Sequence, residues 1–281
     1  MGFPGLASCK LTVKMKMRVL LLSALLALAP AAAAQTMPTP KTDIAALRRE
    51  ALNDRAVRVA IGDLRRSTES LLKDQRRDVG IILKASKAKA GDRVLDIGSS
   101  NAYLALLFAT LVGPEGHVDI HNTPSWIAQA PRLAEEVQRR WIKRPNVGWL
   151  IRSWNAIDAP AESYDVIVLG RIYHEILLEG GDADLVGQRL FKMLKPGGHV
   201  LVEDHDIDPA KPVRQQVFLH RISHQNTAKD FTAAGFDMTE LILFESAADD
   251  QRFNVIWPGI RGRTAHYIAV FQKPLDGKPA Q

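Results

Sequence analysis

The stretch RVLDIGSSNAYLAL, Arg93 to Leu106, decides the fold. RVLDI is a short apolar run of the kind that forms a buried strand. It ends in an acid and a glycine, passes through small polar residues, and enters YLALLFATLV, an apolar run long enough for a buried helix. Gly113-Pro114 stops that helix. A strand that turns through a glycine into a helix is the first half of a βα unit, and the same alternation recurs downstream.

HVDIH from His117 reads as a second strand, followed by a helix from about Ser125 to Ile142. VGWLI from Val147 is a third strand and YDVIVLG from Tyr164 a fourth. A helix from about Asp182 to Lys195 follows, with Asp182 as its cap and KPGG as its terminator. HVLVEDH, His199 to His205, is the fifth strand, and a further helix covers roughly Thr227 to Ala234. DMTELILF and HYIAVFQK then read as a terminal antiparallel pair. Five βα units with apolar strands imply a parallel sheet covered by helices on both faces. A dinucleotide fold opens in the same way but needs G-x-G-x-x-G at the first turn. Here Gly98 is followed by Ser99, Ser100, Asn101 and Ala102, so that fingerprint is absent.

Upstream, residues 42–87 are helical in character, with Asp43 a candidate N-cap and Ile44, Leu47, Ala51 and Leu52 at helical spacing. The arginine pairs Arg48–Arg49, Arg65–Arg66 and Arg76–Arg77 are expected on a solvated face. Further upstream, Lys10, Lys14, Lys16 and Arg18 precede VLLLSALLALAPAAAAQ, Val19 to Gln35. A basic start, an apolar run of roughly ten residues and a small-residue end describe a secretory signal peptide, with cleavage expected after Ala34. The apolar run is shorter than the roughly 20 residues of a membrane span. MKMRVLLL makes Met15 or Met17 a plausible start. Residues 1–34 are thus read as signal, 35–90 as a tether and helical segment, 91–274 as the α/β domain and 275–281 as a tail.

The chain of 281 residues is 46% hydrophobic, enough for a large core. Its formal net charge of +6 falls to +2 without the four cations of the leader. That is too little to argue for nucleic acid. Cys9 is the only cysteine and lies in the leader, so the expected mature protein has neither a disulfide nor a catalytic thiol.

Three pieces carry a family resemblance: the acid-glycine loop after the first strand, SYDVIVLG at the fourth, and FKMLKPGGHVLVED entering the fifth. Together they resemble class I S-adenosyl-L-methionine-dependent methyltransferases. RIYHE, VEDH, LHRI, AAGF and IRGRTAHYIAVFQKP further resemble exported, signal-peptide-bearing bacterial proteins catalogued as predicted methyltransferases. The resemblance covers about Arg77 to Lys273. It implies an α/β, Rossmann-like, doubly wound seven-stranded sheet, mostly parallel with an antiparallel last strand, behind N-terminal helices.

The family loop pattern D-x-G-x-G-x-G falls on Asp96, Gly98, Ser100 and Ala102. The resemblance implies that this loop seats the methionine end of the cofactor against backbone. Ser100 does so without strain if its φ is negative, and at roughly 1–2 kcal/mol if φ is positive. The third glycine position, Ala102, is read as serving mainly close packing. Asn122 stands where the family usually has a ribose-binding acid, with Asp119 and His121 nearby; a neutral partner there costs on the order of tenfold in affinity. Trp154 is read either as a platform for the adenine or as core. Gly170 ends the fourth strand beside the same site.

Ligands in such sheets lie beyond the carboxyl ends of the strands. GRIYHE and EDHDID fall there, bringing Arg171, Tyr173, His174, Glu175, Glu203, Asp204, His205, Asp206 and Asp208, with His220 and Arg221 able to fold back over them. A hydroxyl or amine acceptor needs a base, for which His174 is the first choice and His205 the second, with Asp204 orienting one of them. His174, Asp204, His205 and His220 are also donors that zinc or iron accepts, but no H-x-x-x-H or H-E-x-x-H spacing supports a metal and none is assigned. The long segment AADDQRFNVIWPGIRGRT reads as a lid over the acceptor site.

Two functions follow. One is an exported, periplasmic or secreted methyltransferase that uses S-adenosyl-L-methionine on a small molecule, with no nucleic-acid partner and no membrane contact after leader removal. The alternative is a non-catalytic or repurposed protein of the same fold that binds another small ligand or a metal. The lost glycines, Asn122 and a leader that takes the protein away from a cytoplasmic cofactor point to the alternative, but the resemblance is broad and each departure is individually tolerable, so the methyltransferase is the reading preferred.

Overall fold

A computed structural model describes residues 42–74, 76–141 and 144–278; the segments expected to be leader and tether lie outside the described residues. Four short helices come first: α1 (Ile44–Asn53), α2 (Arg55–Ile61), α3 (Thr68–Asp74) and α4 (Val79–Ala85). Asp43 caps α1 by accepting the Ala46 N–H at 2.9 Å, as its position before an apolar-periodic run suggests. Asp54 closes α1 and caps α2. Val57, Ala60, Ile81 and Ile82 from these helices are buried in a core shared with the α/β layers.

From Arg93 the chain alternates as the apolar runs require: β1 (Arg93–Ile97), α5 (Tyr103–Val112), β2 (His117–Asn122), α6 (Pro124–Gln129), α7 (Pro131–Arg140) and β3 (Val147–Ile151). After a single 3-10 turn at Trp154–Ala156 come β4 (Tyr164–Gly170), α8 (Tyr173–Leu178), α9 (Ala183–Met193), β5 (Leu194–His205), α10 (Val213–Phe218), α11 (His224–Ala233), β6 (Asp237–Phe244) and β7 (His266–Gln272). Among the described residues, seven strands form one sheet in the order β3-β2-β1-β4-β5-β7-β6. β7 is antiparallel to both neighbours and the rest run parallel. Strands alternate side chains between faces. Val94, Val118, Ile120, Val166, Val168 and Leu201 therefore pack with α4 and α5, while Leu95, Ile97, Ile167, Leu169, Val200 and Val202 pack with α9 and α11.

Where the structure departs from the sequence expectation, the backbone supplies the reason. The helix expected over 125–142 is two helices. Thr123 caps α6 through the Trp126 N–H, and Pro131, which has no N–H to give, restarts the chain as α7. KPGG does not separate helix from strand: α9 ends at Met193, and the tetrad is a bulged start to β5. The register passes from Tyr164–Leu194 to Val166–His199, and Gly197 sits at φ 76°. α8 and α10 are additional short helices. The chain turns outward in opposite directions from β1 and β4, which opens a crevice at their carboxyl ends.

Candidate functional site

The loop from β1 to α5 is left-handed at all three positions where the methyltransferase pattern has glycine: Gly98 at φ 60°, Ser100 at 52° and Ala102 at 64°. Of the two cases open for Ser100, the strained one holds. Ala102 is fully buried, in keeping with close packing, and is in addition left-handed at the start of α5. Each non-glycine residue there costs roughly 1–2 kcal/mol. Hydrogen bonds hold the loop in place. Ser99 N–H donates to the His121 carbonyl at 2.9 Å, Ser99 Oγ to Asp96 Oδ2 at 2.5 Å, and Asn122 Nδ2 to the Ser100 carbonyl at 3.2 Å. Gly98 is required twice over, by its φ and by Ile172, whose Cγ1 would lie 2.2 Å from a Cβ at that position.

From β2, the side chains of Asp119, His121 and Asn122 go to different places. Asp119 faces away from the loop and accepts from Arg93 and Tyr164. His121 Nε2 lies 3.0 Å from the Arg152 carbonyl, which can only accept, so the ring proton is on Nε2. Nδ1 is then free to accept the Gly98 N–H at 3.3 Å. Burial pushes the His121 pKa down to about 4, and the ring is a neutral strut. Asn122 turns toward the loop, its Oδ1 uncommitted by the bond that Nδ2 makes.

A cavity of about 610 Å³ opens beyond these strand ends. Asp96, Gly98, Ser100, Asn122, Trp154 and Gly170 all line it. Burial, partly offset by the Ser99 hydroxyl and the Arg77 charge, pushes Asp96 up to about 6. Trp154 belongs both to the wall and to the core beneath it, and its Nε1 donates to Glu179 at 2.8 Å. Of the three residues considered for catalysis, His205 lines the cavity, whereas His174 and Asp204 lie outside its wall.

His174 and Asp204 form a buried pair. Asp204 accepts from His174 Nδ1 at 2.6 Å, from the His174 backbone N–H at 3.1 Å and from the His205 N–H at 2.7 Å. Burial would lower the His174 pKa, but the Asp204 charge and hydrogen bond outweigh it and push it up to about 9, leaving the ring cationic at neutral pH. His205 differs: burial and the nearby Arg171 hold it well below the usual histidine range, as a neutral ring whose Nδ1 lies 2.9 Å from Thr264 Oγ1. His220 Nδ1 accepts from Asn254, so its Nε2 proton faces Glu175 at 3.3 Å.

The sequence reading missed several wall residues. Trp126, Glu179 and Lys73 line the cavity, and so does Arg77. Arg77 corrects the expectation of a solvated arginine face. Its side chain is only 12% exposed and, together with Arg171, it binds the buried Glu203 at the end of β5. Burial would raise the Glu203 pKa, but the two guanidiniums hold it at about 2. Arg66 likewise turns inward onto Asp74, while its neighbour Arg65 stays outside. The only local signal was the doubling of the arginines, which marks a position but not a direction. The segment between β6 and β7 forms part of the wall through Val255, Ile256, Arg261 and Gly262. Asp249 fixes it by a bidentate bond to buried Arg221 at 2.6 and 2.9 Å. Among the described residues, no group of three or more His, Cys, Asp or Glu side chains is arranged to hold a metal ion.

Comparison with known proteins agrees with this geometry. The chain is 32% identical over 126 residues to a protein-L-isoaspartate O-methyltransferase of Ignicoccus hospitalis, a match covering 44% of this chain and 52% of that one. It is 27% identical over 144 residues to the ubiquinone/menaquinone biosynthesis C-methyltransferase UbiE of Vibrio campbellii, covering 49% and 52%. The chain therefore spans about half the length of these relatives. Its fold is similar to a SAM-dependent methyltransferase of Aquifex aeolicus, with TM-score 0.50, 17% identity and coverage of 82% and 99%. It is also similar to the cyclase SpnF, with TM-score 0.53, 18% identity and coverage of 72% and 82%. A family model described as a methyltransferase domain matches residues 88–259, more than half of the chain, and the protein belongs to that methyltransferase domain family.

Proposed function

We propose that this protein transfers a methyl group from S-adenosyl-L-methionine to a small-molecule acceptor. One observation carries the reading: Asp96, Gly98, Ser100, Asn122, Trp154 and Gly170, named from the sequence, surround a single cavity at the crevice where such sheets bind ligands. The residues fit the cofactor. Gly98 lines the cavity with Ile172 packed where a Cβ would be, Asn122 Oδ1 is available to a ribose hydroxyl, and Trp126 and Trp154 offer flat apolar faces to an adenine. When bound, the cofactor supplies an electrophilic methyl group on a sulfonium.

The protein's own contribution is alignment and proton handling. His205, neutral and on the cavity wall, is the group placed to take a proton from a hydroxyl or amine acceptor, as a weak base whose cation burial and Arg171 disfavour. Asp204 acts as a positioning residue, since it accepts the His205 backbone N–H while holding His174. The relatives' names span oxygen and carbon acceptors, so the acceptor atom is not carried over from them. The basic start, apolar run and alanine-rich end of residues 10–34 support an exported protein, periplasmic or secreted, of the signal-bearing kind. Fractionating cells that produce the tagged full chain, with terminal sequencing of the product, tests that part.

The competing reading, a family fold that binds another ligand, rests on the two strained non-glycine loop residues and Asn122. Calorimetric titration with S-adenosyl-L-methionine and with S-adenosylhomocysteine separates the two. Micromolar binding supports the methyltransferase. Absence of binding at millimolar ligand, with a thermal shift produced only by a metal or a non-nucleoside metabolite, overturns it.

A further inference from the structure

We propose that Arg76 and Arg261 form an oxyanion-binding subsite at the mouth of the cavity, and that the methyl acceptor is a small amphiphilic anion carrying a carboxylate or phosphate. This deepens the methyltransferase reading and rests on it for the word acceptor.

The two guanidiniums come from distant segments, one just before α4 and one between β6 and β7. Both line the main cavity and a smaller recess of about 360 Å³ that continues from it with Ile256, Pro258 and Gly262. The two segments meet at Gly262, whose φ of 77° favours glycine; a Cβ built there would be in ordinary contact with Arg76 Cδ, at 3.7 Å.

The charge pattern sets the pair apart on the cavity wall. The other two arginines there, Arg77 and Arg171, both hold Glu203. Among the described residues, Arg76 and Arg261 have no acid within ion-pair distance. Lys73, on the same wall, is already engaged by Glu69 and Asn101. Two like charges on one recess repel, and an oxyanion between them removes that repulsion while matching the planar donor fork of arginine.

The surroundings define the rest of the ligand. Val255, Ile256 and Pro258 border the guanidiniums, and Ile256 and Trp257 are left 62% and 56% exposed. Apolar surface beside unpaired cations suits a molecule with a hydrocarbon or aromatic body and an anionic end. The loop Ser99–Asn101 and Asn122 line the other end of the same cavity, so such a molecule would reach from the mouth toward the nucleoside end with its anion held outside.

The test uses three matched probes, phenylacetate, phenyl phosphate and neutral phenylacetamide, with ligand-observed NMR titrations on the full chain. Titrations are run with and without saturating S-adenosylhomocysteine, at low and high salt. Both anions are expected to bind about tenfold more tightly than the amide at low salt, with the preference shrinking at high salt. R76Q and R261Q should each remove most of that preference, R76K and R261K should retain part of it, and S-adenosylhomocysteine binding should stay within about twofold throughout. Equal binding of all three probes, or an anion preference unchanged in both glutamine variants, overturns the subsite. The lysine variants keep the test valid if a glutamine variant does not fold, since under a purely structural role lysine and wild type would show no salt-dependent preference. Anion selectivity that needs both arginines, in a protein that never binds S-adenosylhomocysteine, supports the subsite and instead removes the methyltransferase reading.

Discussion

His174 Nδ1 lies 2.6 Å from Asp204 Oδ1, and both side chains are buried behind the cavity wall. The pair joins the first turn of α8 to the end of β5 and leaves His174 protonated where a general base would have to be neutral.

Stability should therefore fall with rising pH. The ring holds its proton more tightly in the native state, at about 9, than at the ordinary value of about 6.5 in the unfolded chain. Its stabilisation is complete below about pH 6.5 and is lost as pH rises through about 9. Urea midpoints measured across that window should drop in the parent and drop less in His174→Gln. Parallel curves for the two proteins would remove the charged pair from the account.

Ser100→Gly should stabilise the protein. Glycine removes roughly 1–2 kcal/mol of left-handed strain and returns about 0.5–1 kcal/mol through unfolded-state entropy. The expected net gain is up to about 1 kcal/mol, or a melting temperature higher by about 2–4 °C. A lower melting temperature would mean that the serine side chain contributes something beyond its backbone.

Asn122→Asp, which restores the acid usual at this position, should be harmful. The carboxylate cannot donate to the Ser100 carbonyl and is buried against that oxygen instead. A loss of about 1–3 kcal/mol is expected by denaturant unfolding. Undiminished stability would show that the Asn122 amide does not hold the loop.

Glu203→Gln should be the most damaging of these changes. It leaves Arg77 and Arg171 without their shared carboxylate in a buried setting, a class of change that costs about 3–5 kcal/mol. Calorimetric melting at neutral pH reads the loss directly, and a loss below about 1 kcal/mol would mean that water already screens the pair.

What could be read in the sequence depended on whether the signal was local. β1 and α5 match RVLDI and YLALLFATLV residue for residue, because a continuous apolar run bounded by a charge, a glycine or a proline has few other outcomes. All six residues named for the cofactor meet in space, since the fold brings strand ends together whatever lies between them. The direction of a doubled arginine was not legible. Arg77 turns inward to a glutamate 126 residues later in the chain, and Arg76, beside it, stays outside. Nor could the sequence show that Asp204 would bind His174 tightly enough to take it off the cavity wall. α8 was hidden because six residues are too few to establish a helical period.

The family match ends short of the molecule at both ends, covering 88–259, while Arg77 and β7 lie outside it. Trimming the gene to those limits would strip the carboxylate at the tip of β5 of one partner and remove the strand between β5 and β6. Two strand edges would then be bare, and an aggregating product should be expected instead of a minimal catalytic core.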